Sequence, residues 1–108
     1  MTMNNPGRRR DSTRIVIDPP TFSPPPEMRS KYLEERKSEL DTLLVSAHAG
    51  EWKPVLTVAN HIRGTGAMYG FANIGDAAEN LVKAVQNGES KSIELMEIYA
   101  DVVRNSYI

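Results

Sequence analysis

Hydrophobic residues recur at three- and four-residue steps over most of the chain after Pro26, which is the spacing of amphipathic α-helices. In the first such stretch, charged residues between Glu34 and Asp41 alternate with the apolar positions, and Gly50 is placed to end the helix. No segment shows the sustained two-residue alternation of a half-buried strand. The positions of this first helix that we expect in the core are Met28, Tyr32, Leu33, Leu40, Leu43, Leu44 and Ala47.

The rest of the pattern predicts three further helices. The second begins near Trp52–Pro54, since proline is tolerated in a first turn, and runs to about Tyr69. The third covers roughly residues 74–86 and ends at Asn87-Gly88, and the fourth follows Ser90 as an N-cap. Four amphipathic helices joined by short loops predict an all-α protein, an antiparallel four-helix bundle. The predicted core stripes of the last two helices are Ile74, Ala77, Ala78, Leu81, Val82 and Val85, and then Ile93, Met96, Ile98, Tyr99, Val102 and Val103.

Proline divides the chain of 108 residues into two parts, because six of its seven prolines lie in the first 26 positions. We expect residues 1–26 to be an extended or disordered leader, and residues 27–108 to form the bundle, which is long enough for a modest core. The leader has one apolar patch, Ile15-Val16-Ile17, which is a candidate for docking against the bundle.

Charge and composition exclude several classes of function. Residues 27–108 hold nine Lys/Arg and twelve Asp/Glu, and this weakly acidic balance argues against nucleic-acid binding. The absence of cysteine excludes disulfides, thiolate metal sites and a cysteine nucleophile, and neither His48 nor His61 has metal ligands at the usual spacing. No apolar run is long enough to span a membrane, and no signal peptide is recognisable. We therefore expect a soluble intracellular protein, and we take it to be a cytoplasmic monomer.

The second predicted helix is unusual because Gly64 and Gly66 each cost about 1 kcal/mol relative to alanine in a helix interior. Its expected core face places Gly66 inward, where a neighbouring helix can approach closely. Asn60 and Gly64 point almost directly away from that face, and His61 lies on its flank. The pattern thus predicts an open surface at Gly64, beside Asn60 and His61. The expected core face consists of Val55, Val58, Ala59, Ile62, Gly66 and Tyr69.

This helix and the turn after it carry a family signature. The residues read Ala59-Asn60-His61-Ile62-Arg63-Gly64-Thr65-Gly66-Ala67-Met68-Tyr69-Gly70-Phe71. They resemble the signature of histidine-containing phosphotransfer (HPt) domains, which is Ala-His-any-Leu-Lys-Gly-Ser, then small residues and Gly-Phe or Gly-Ala. Ile74, Gly75, Ala78 and Leu81 continue the similarity. The resemblance implies a four-helix bundle that exchanges a phosphoryl group with the aspartate of a receiver domain, without a metal, a cofactor or autonomous catalysis of its own.

The chain departs from the signature at the phosphoacceptor. The family spacing places the histidine four residues before Gly64, where this chain has Asn60, whose amide is not a nucleophile. The candidate phosphoacceptor is therefore His61, since imidazole is the right nucleophile. Arg63, which matches the family lysine, is two residues from His61 and points elsewhere on the helix. Thr65, four residues on, is the better hydroxyl neighbour for His61.

Three functions remain open at this stage. The chain is a phosphocarrier that uses His61, a docking-only protein that binds receivers without accepting phosphate, or a helical adaptor unrelated to phosphorelay. Under the first two, the partners are receiver domains of response regulators or hybrid sensor kinases. The resemblance implies that they bind a surface that we call the docking face, made of Leu56, Asn60, Arg63, Gly64, Thr65 and Ala67.

Overall fold

The computed structural model describes residues 24–108, which are helical and contain no β-strand. The predictions made for residues 1–23 lie outside this range, and helix begins at Pro26, the predicted boundary. The helices are α1 Pro26–Ser38, α2 Leu40–His48, α3 Trp52–Thr65, a 3₁₀ turn at Ala67–Tyr69, α4 Ala72–Gln86 and α5 Ser92–Arg104.

The first predicted helix is interrupted at Glu39, which separates α1 from α2. The backbone nearly continues through the break, because the Glu39 N–H donates to the Glu35 carbonyl and the Leu43 N–H to the Glu39 carbonyl. At the end of α1, the Ser38 hydroxyl donates to the Glu35 carbonyl at 3.0 Å. Such bonds from a serine side chain to the helix backbone are associated with bends, and the spacing of apolar residues did not indicate one.

Two helices end just before glycines with left-handed backbone conformations. Gly50 and Gly88 adopt left-handed φ angles of 77° and 65° after α2 and α4, as their positions predicted. The predicted N-cap at Ser90 is wrong, because α5 begins at Ser92 after Lys91, and no side chain caps it. Ser92 instead donates its hydroxyl to the Glu89 carbonyl at 2.7 Å.

The core lies where the helical stripes meet. Helix α4 packs against both α3 and α5, α2 packs against α3 and α5, and α1 contacts α2, α5 and the 3₁₀ turn. Most positions expected in the core are buried, and the largest fully enclosed side chains include Ile62, Ile74, Leu81, Met96 and Tyr99. The residues that form the candidate site are therefore carried by α3, the helix that packs most extensively on α4.

Two expected core residues are exposed. Met28 is 42% exposed and Ile98 is 46% exposed. Met28 lies in the first turn of α1 and lines a surface groove, so its side chain is on the rim of the packed region and not inside it. Within residues 24–108, no helix combines the length and the apolar character that crossing a membrane requires.

Candidate functional site

The residues of the docking face lie on one helix and the turn after it. Asn60, Arg63, Gly64 and Ala67 are exposed, and Leu56 and Thr65 are half-buried. Leu56, Asn60 and Gly64 follow at four-residue intervals and so form a strip along α3. His61 is exposed beside this strip. The structure thus brings the predicted site residues together on the outer side of α3.

Gly64 in the last turn of α3 and Gly66 directly after the helix have opposite surroundings, as their positions predicted. A Cβ at Gly66 would lie 2.7 Å from the Gly75 nitrogen and 2.9 Å from the Phe71 carbonyl oxygen, closer than backbone atoms allow. A Cβ at Gly64 would meet nothing within 4 Å. Gly66 therefore lets the end of α3 pack directly against the start of α4, and Gly64 leaves the backbone open to a partner.

The Thr65 hydroxyl forms hydrogen bonds with the His61 backbone and with the Tyr32 side chain. Its hydroxyl donates to the His61 backbone carbonyl at 3.1 Å and lies 2.8 Å from the Tyr32 hydroxyl. Because the single proton of Thr65 goes to that carbonyl, the Tyr32 hydroxyl is the donor in the second bond. The Thr65 hydroxyl is thus a neighbour of His61 through the backbone carbonyl, and it also connects the end of α3 to α1.

An ion pair between Arg36 and Glu39 lies where α1 ends. Arg36 is 8% exposed. Its Nε donates to Glu39 Oε1 at 2.7 Å, and its Nη2 donates to Glu39 Oε2 at 3.4 Å. Burial raises the pKa of Glu39, while Arg36 and, as the smallest contribution, the charge of His61 act in the opposite direction. The carboxylate of Glu39 therefore shares an electrostatic environment with the candidate phosphoacceptor.

An aromatic stack supports the turn that follows α3. The Tyr32 ring lies 4.5 Å from the Tyr69 ring, nearly parallel to it, and 6.0 Å from the Phe71 ring. Arg29 donates through Nε to the Tyr69 carbonyl at 3.2 Å and lies over the Phe71 ring. Gly70, with a φ of 89°, turns the chain at this point. The stack therefore fixes the 3₁₀ turn, and with it Ala67, against α1.

The side chains available for chemistry are few. Within residues 24–108, Asn60 and Arg63 form no hydrogen bond or ion pair with another side chain, so both are free to contact a partner. The same residues contain no cluster of three or more His, Asp or Glu side chains that could hold a metal ion. His48, the other histidine, lies on α2 and bonds Glu97 at 3.1 Å. The site can thus offer an amide, a guanidinium and an imidazole.

Sequence reasoning did not find the α1 side of the site. Tyr32 was expected in the core, and it is buried, but its hydroxyl reaches Thr65. Arg36 and Glu39 stand at helical spacing in the sequence and could have suggested an ion pair. Nothing in their spacing shows that the charge of Glu39 interacts with that of His61, because that depends on how distant segments pack.

Comparison of the chain with family models, with curated proteins and with solved structures gave no match. The resemblance to HPt domains therefore rests on the sequence of this chain alone, at residues 59–71 and at Ile74, Gly75, Ala78 and Leu81.

Proposed function

We propose that this protein is an HPt-like module that binds receiver domains through the docking face. The observation that carries the proposal is the difference in the space around Gly64 and Gly66. Gly66 is buried against the backbone of Gly75, and Gly64, two residues away, has open space above it next to the exposed side chains of Asn60 and Arg63. An exposed helix surface without a side chain at Gly64, on a helix that packs against α4, favours the close approach of a protein partner.

The same proposal extends to the overall architecture and location. We take α1 and α2 as one interrupted helix, so that the helices correspond to the four antiparallel helices of an HPt bundle. Since receiver domains act in the cytoplasm, we place the protein there. The module performs no catalysis alone, because the receiver supplies the metal and the reactive aspartate.

Docking without phosphate transfer is the form that the site favours. Asn60 occupies the position next to Gly64 where the family has its histidine, and an amide cannot carry a phosphoryl group. The ring of His61 lies on the flank, in the electrostatic environment of Glu39.

Phosphate transfer through His61 is the second candidate, because the ring is exposed and imidazole is a competent nucleophile. In this reaction an imidazole nitrogen forms a bond to phosphorus while the bond to the receiver aspartate oxygen breaks. The phosphoryl group leaves the carboxylate and becomes a phosphohistidine.

Docking is tested by titrating the protein with unlabelled receiver domains while recording the amide spectrum. We expect shifts at residues 56–67 and weaker binding for Gly64→Leu, which fills the open strip. Asn80→Leu, on an exposed position of α4, is the matched control and should bind as the wild type does. If titration with a panel of receivers perturbs no amide in residues 56–71, the docking proposal is wrong.

Transfer is tested separately, by incubation with a receiver labelled on its aspartate. A docking-only protein acquires no label, and Asn60→His then gains it. A carrier acquires an acid-labile, alkali-stable label that His61→Gln removes and His48→Gln retains. If the protein neither binds receivers nor acquires label, the remaining hypothesis is a helical adaptor unrelated to phosphorelay.

A further inference from the structure

The structure has a surface groove that the proposed function does not use. It lies between α1 and the 3₁₀ turn, has a volume of about 230 Å³, and is lined by Met28, Lys31, Tyr32, Glu35 and Tyr69. We call it the α1 groove. It borders the docking face, because the Tyr32 hydroxyl that contributes to its wall is bonded to Thr65.

The α1 groove suits a short apolar peptide. Its floor is the stacked pair of Tyr32 and Tyr69, and Met28 is 42% exposed at its edge. Met68, which is 47% exposed, stands next to Tyr69 in the chain. A volume of about 230 Å³ is below the roughly 300–1,000 Å³ of small-molecule pockets, and it can accept one or two aliphatic side chains.

The rim of the α1 groove is charged in a defined order. Lys31 and Glu35 are both exposed and lie one helical turn apart, with Lys31 nearer the start of α1. A peptide that carries a negative and a positive group around an apolar centre would match this rim in one direction only.

We propose that residues 14–18 of this same chain bind in the α1 groove. This segment is Arg14-Ile15-Val16-Ile17-Asp18, an apolar centre with a positive and a negative end. A chain that folds back along α1 brings Asp18 to Lys31 and Arg14 to Glu35, which pairs opposite charges at both ends. In an extended segment, Ile15 and Ile17 point to the same side and enter the groove, and Val16 points away.

The length of the leader permits this return. Asp18 stands six positions before Pro24, and an extended chain of that length reaches about 20 Å. Lys31 is seven positions after Pro24 in a stretch that is mostly helical, a rise of about 10 Å. The segment can therefore reach the α1 groove with enough chain left to cross from one side of α1 to the other.

A segment bound in the α1 groove would lie next to the docking face. Because the α1 groove borders that face at Thr65, a peptide bound there stands beside any partner on Ala67 and Gly64. The inference itself does not depend on the receiver, since the groove and the segment belong to the same chain.

The test uses the full chain with a spin label at Ser12→Cys, which is the sole attachment site because the chain has no cysteine. We expect loss of amide signal intensity around Met28, Lys31 and Tyr32. Ile15→Asp and Ile17→Asp should restore these signals, whereas Val16→Asp, the matched control, should leave most of the loss in place. Glu35→Lys should restore part of the intensity, and Arg14→Glu added to it should bring the loss back.

Two results would overturn the inference. One is a loss of intensity at the α1 groove that is no greater in the wild-type leader than in Ile15→Asp. The other is a loss that appears in isotope-labelled chains without a spin label when spin-labelled chains are added, because the segment then binds a second copy.

Discussion

The Tyr32 hydroxyl lies 2.8 Å from Thr65 Oγ1 and so connects the middle of α1 to the last residue of α3. The Thr65 hydroxyl in turn donates a hydrogen bond to the His61 carbonyl one turn earlier. This short chain of hydrogen bonds crosses from the first helix to the helix that carries the candidate site. It gives α1 a role in positioning that site.

We expect Tyr32→Phe to lower the free energy of unfolding by about 0.5–1.5 kcal/mol, because it removes a partly buried hydrogen bond and keeps the ring stack. Urea denaturation followed by circular dichroism measures the change. Tyr107→Phe, at a tyrosine that is 83% exposed, is the control and should have no effect. In a double-mutant cycle with Thr65→Val, additive losses would contradict the direct bond.

Substitution by alanine should have opposite effects on stability at Gly64 and at Gly66. Gly66→Ala forces a Cβ to within 2.7 Å of the Gly75 nitrogen, and we expect a loss of roughly 1–3 kcal/mol in stability. Gly64→Ala meets nothing within 4 Å and should gain about 0.5–1 kcal/mol, because alanine is the better helix former. Equal effects of the two substitutions in denaturation experiments would contradict the packing described for Gly66.

The buried hydroxyl of Tyr99 has no hydrogen-bond partner within residues 24–108, although the residue is 1% exposed. We therefore expect Tyr99→Phe to raise the free energy of unfolding at neutral pH by roughly 1 kcal/mol, since an unsatisfied buried polar group is lost. Tyr32→Phe, which removes a bonded hydroxyl, provides the opposite sign in the same experiment. A destabilised Tyr99→Phe protein would show that this hydroxyl has a partner after all.

Tyr99 also makes stability depend on alkaline pH. Burial raises the pKa of the Tyr99 phenol above its ordinary value of 10.0. As the pH rises past about 10, the unfolded chain loses this proton while the folded chain keeps it, so stability falls. Tyr99→Phe lacks this contribution, and we expect its stability advantage over the wild type to grow above that pH. An advantage that stays constant between neutral and alkaline denaturation curves would contradict this.

If His61 accepts phosphate, the charge of Glu39 should limit the yield. We expect Glu39→Gln to raise the label on His61 by roughly two- to tenfold, because it removes a negative charge that interacts with His61 and leaves Arg36 with Glu35 alone as its ion-pair partner. The label is measured after incubation with a phosphorylated receiver. Glu97→Gln, at the partner of His48 on another part of the surface, is the control, and a similar rise there would argue against a local effect.

Much of the local structure was predictable because it depends on spacing within one segment. The three- and four-residue recurrence predicted the helices, and the positions of Gly50 and Gly88 predicted where α2 and α4 end. The prediction that the second helix runs to about Tyr69 was wrong, because α3 ends at Thr65 and a 3₁₀ turn follows it. The inward position of Gly66 and the outward position of Gly64 followed from the rotation of about 100° per residue. The spacing of apolar residues did not predict the interruption at Glu39, because those residues continue at helical steps on both sides of it.

The sequence by itself determined which residues stand on the outer face of α3 and that Asn60, not a histidine, precedes Gly64 by one turn. It did so because residues on one helix keep fixed angles to each other. Only the tertiary structure decided what faces that helix. The bond from Tyr32 to Thr65, the charge of Glu39 near His61 and the groove beside Tyr69 each join residues from distant parts of the chain, and no spacing along the sequence encodes which helix faces meet.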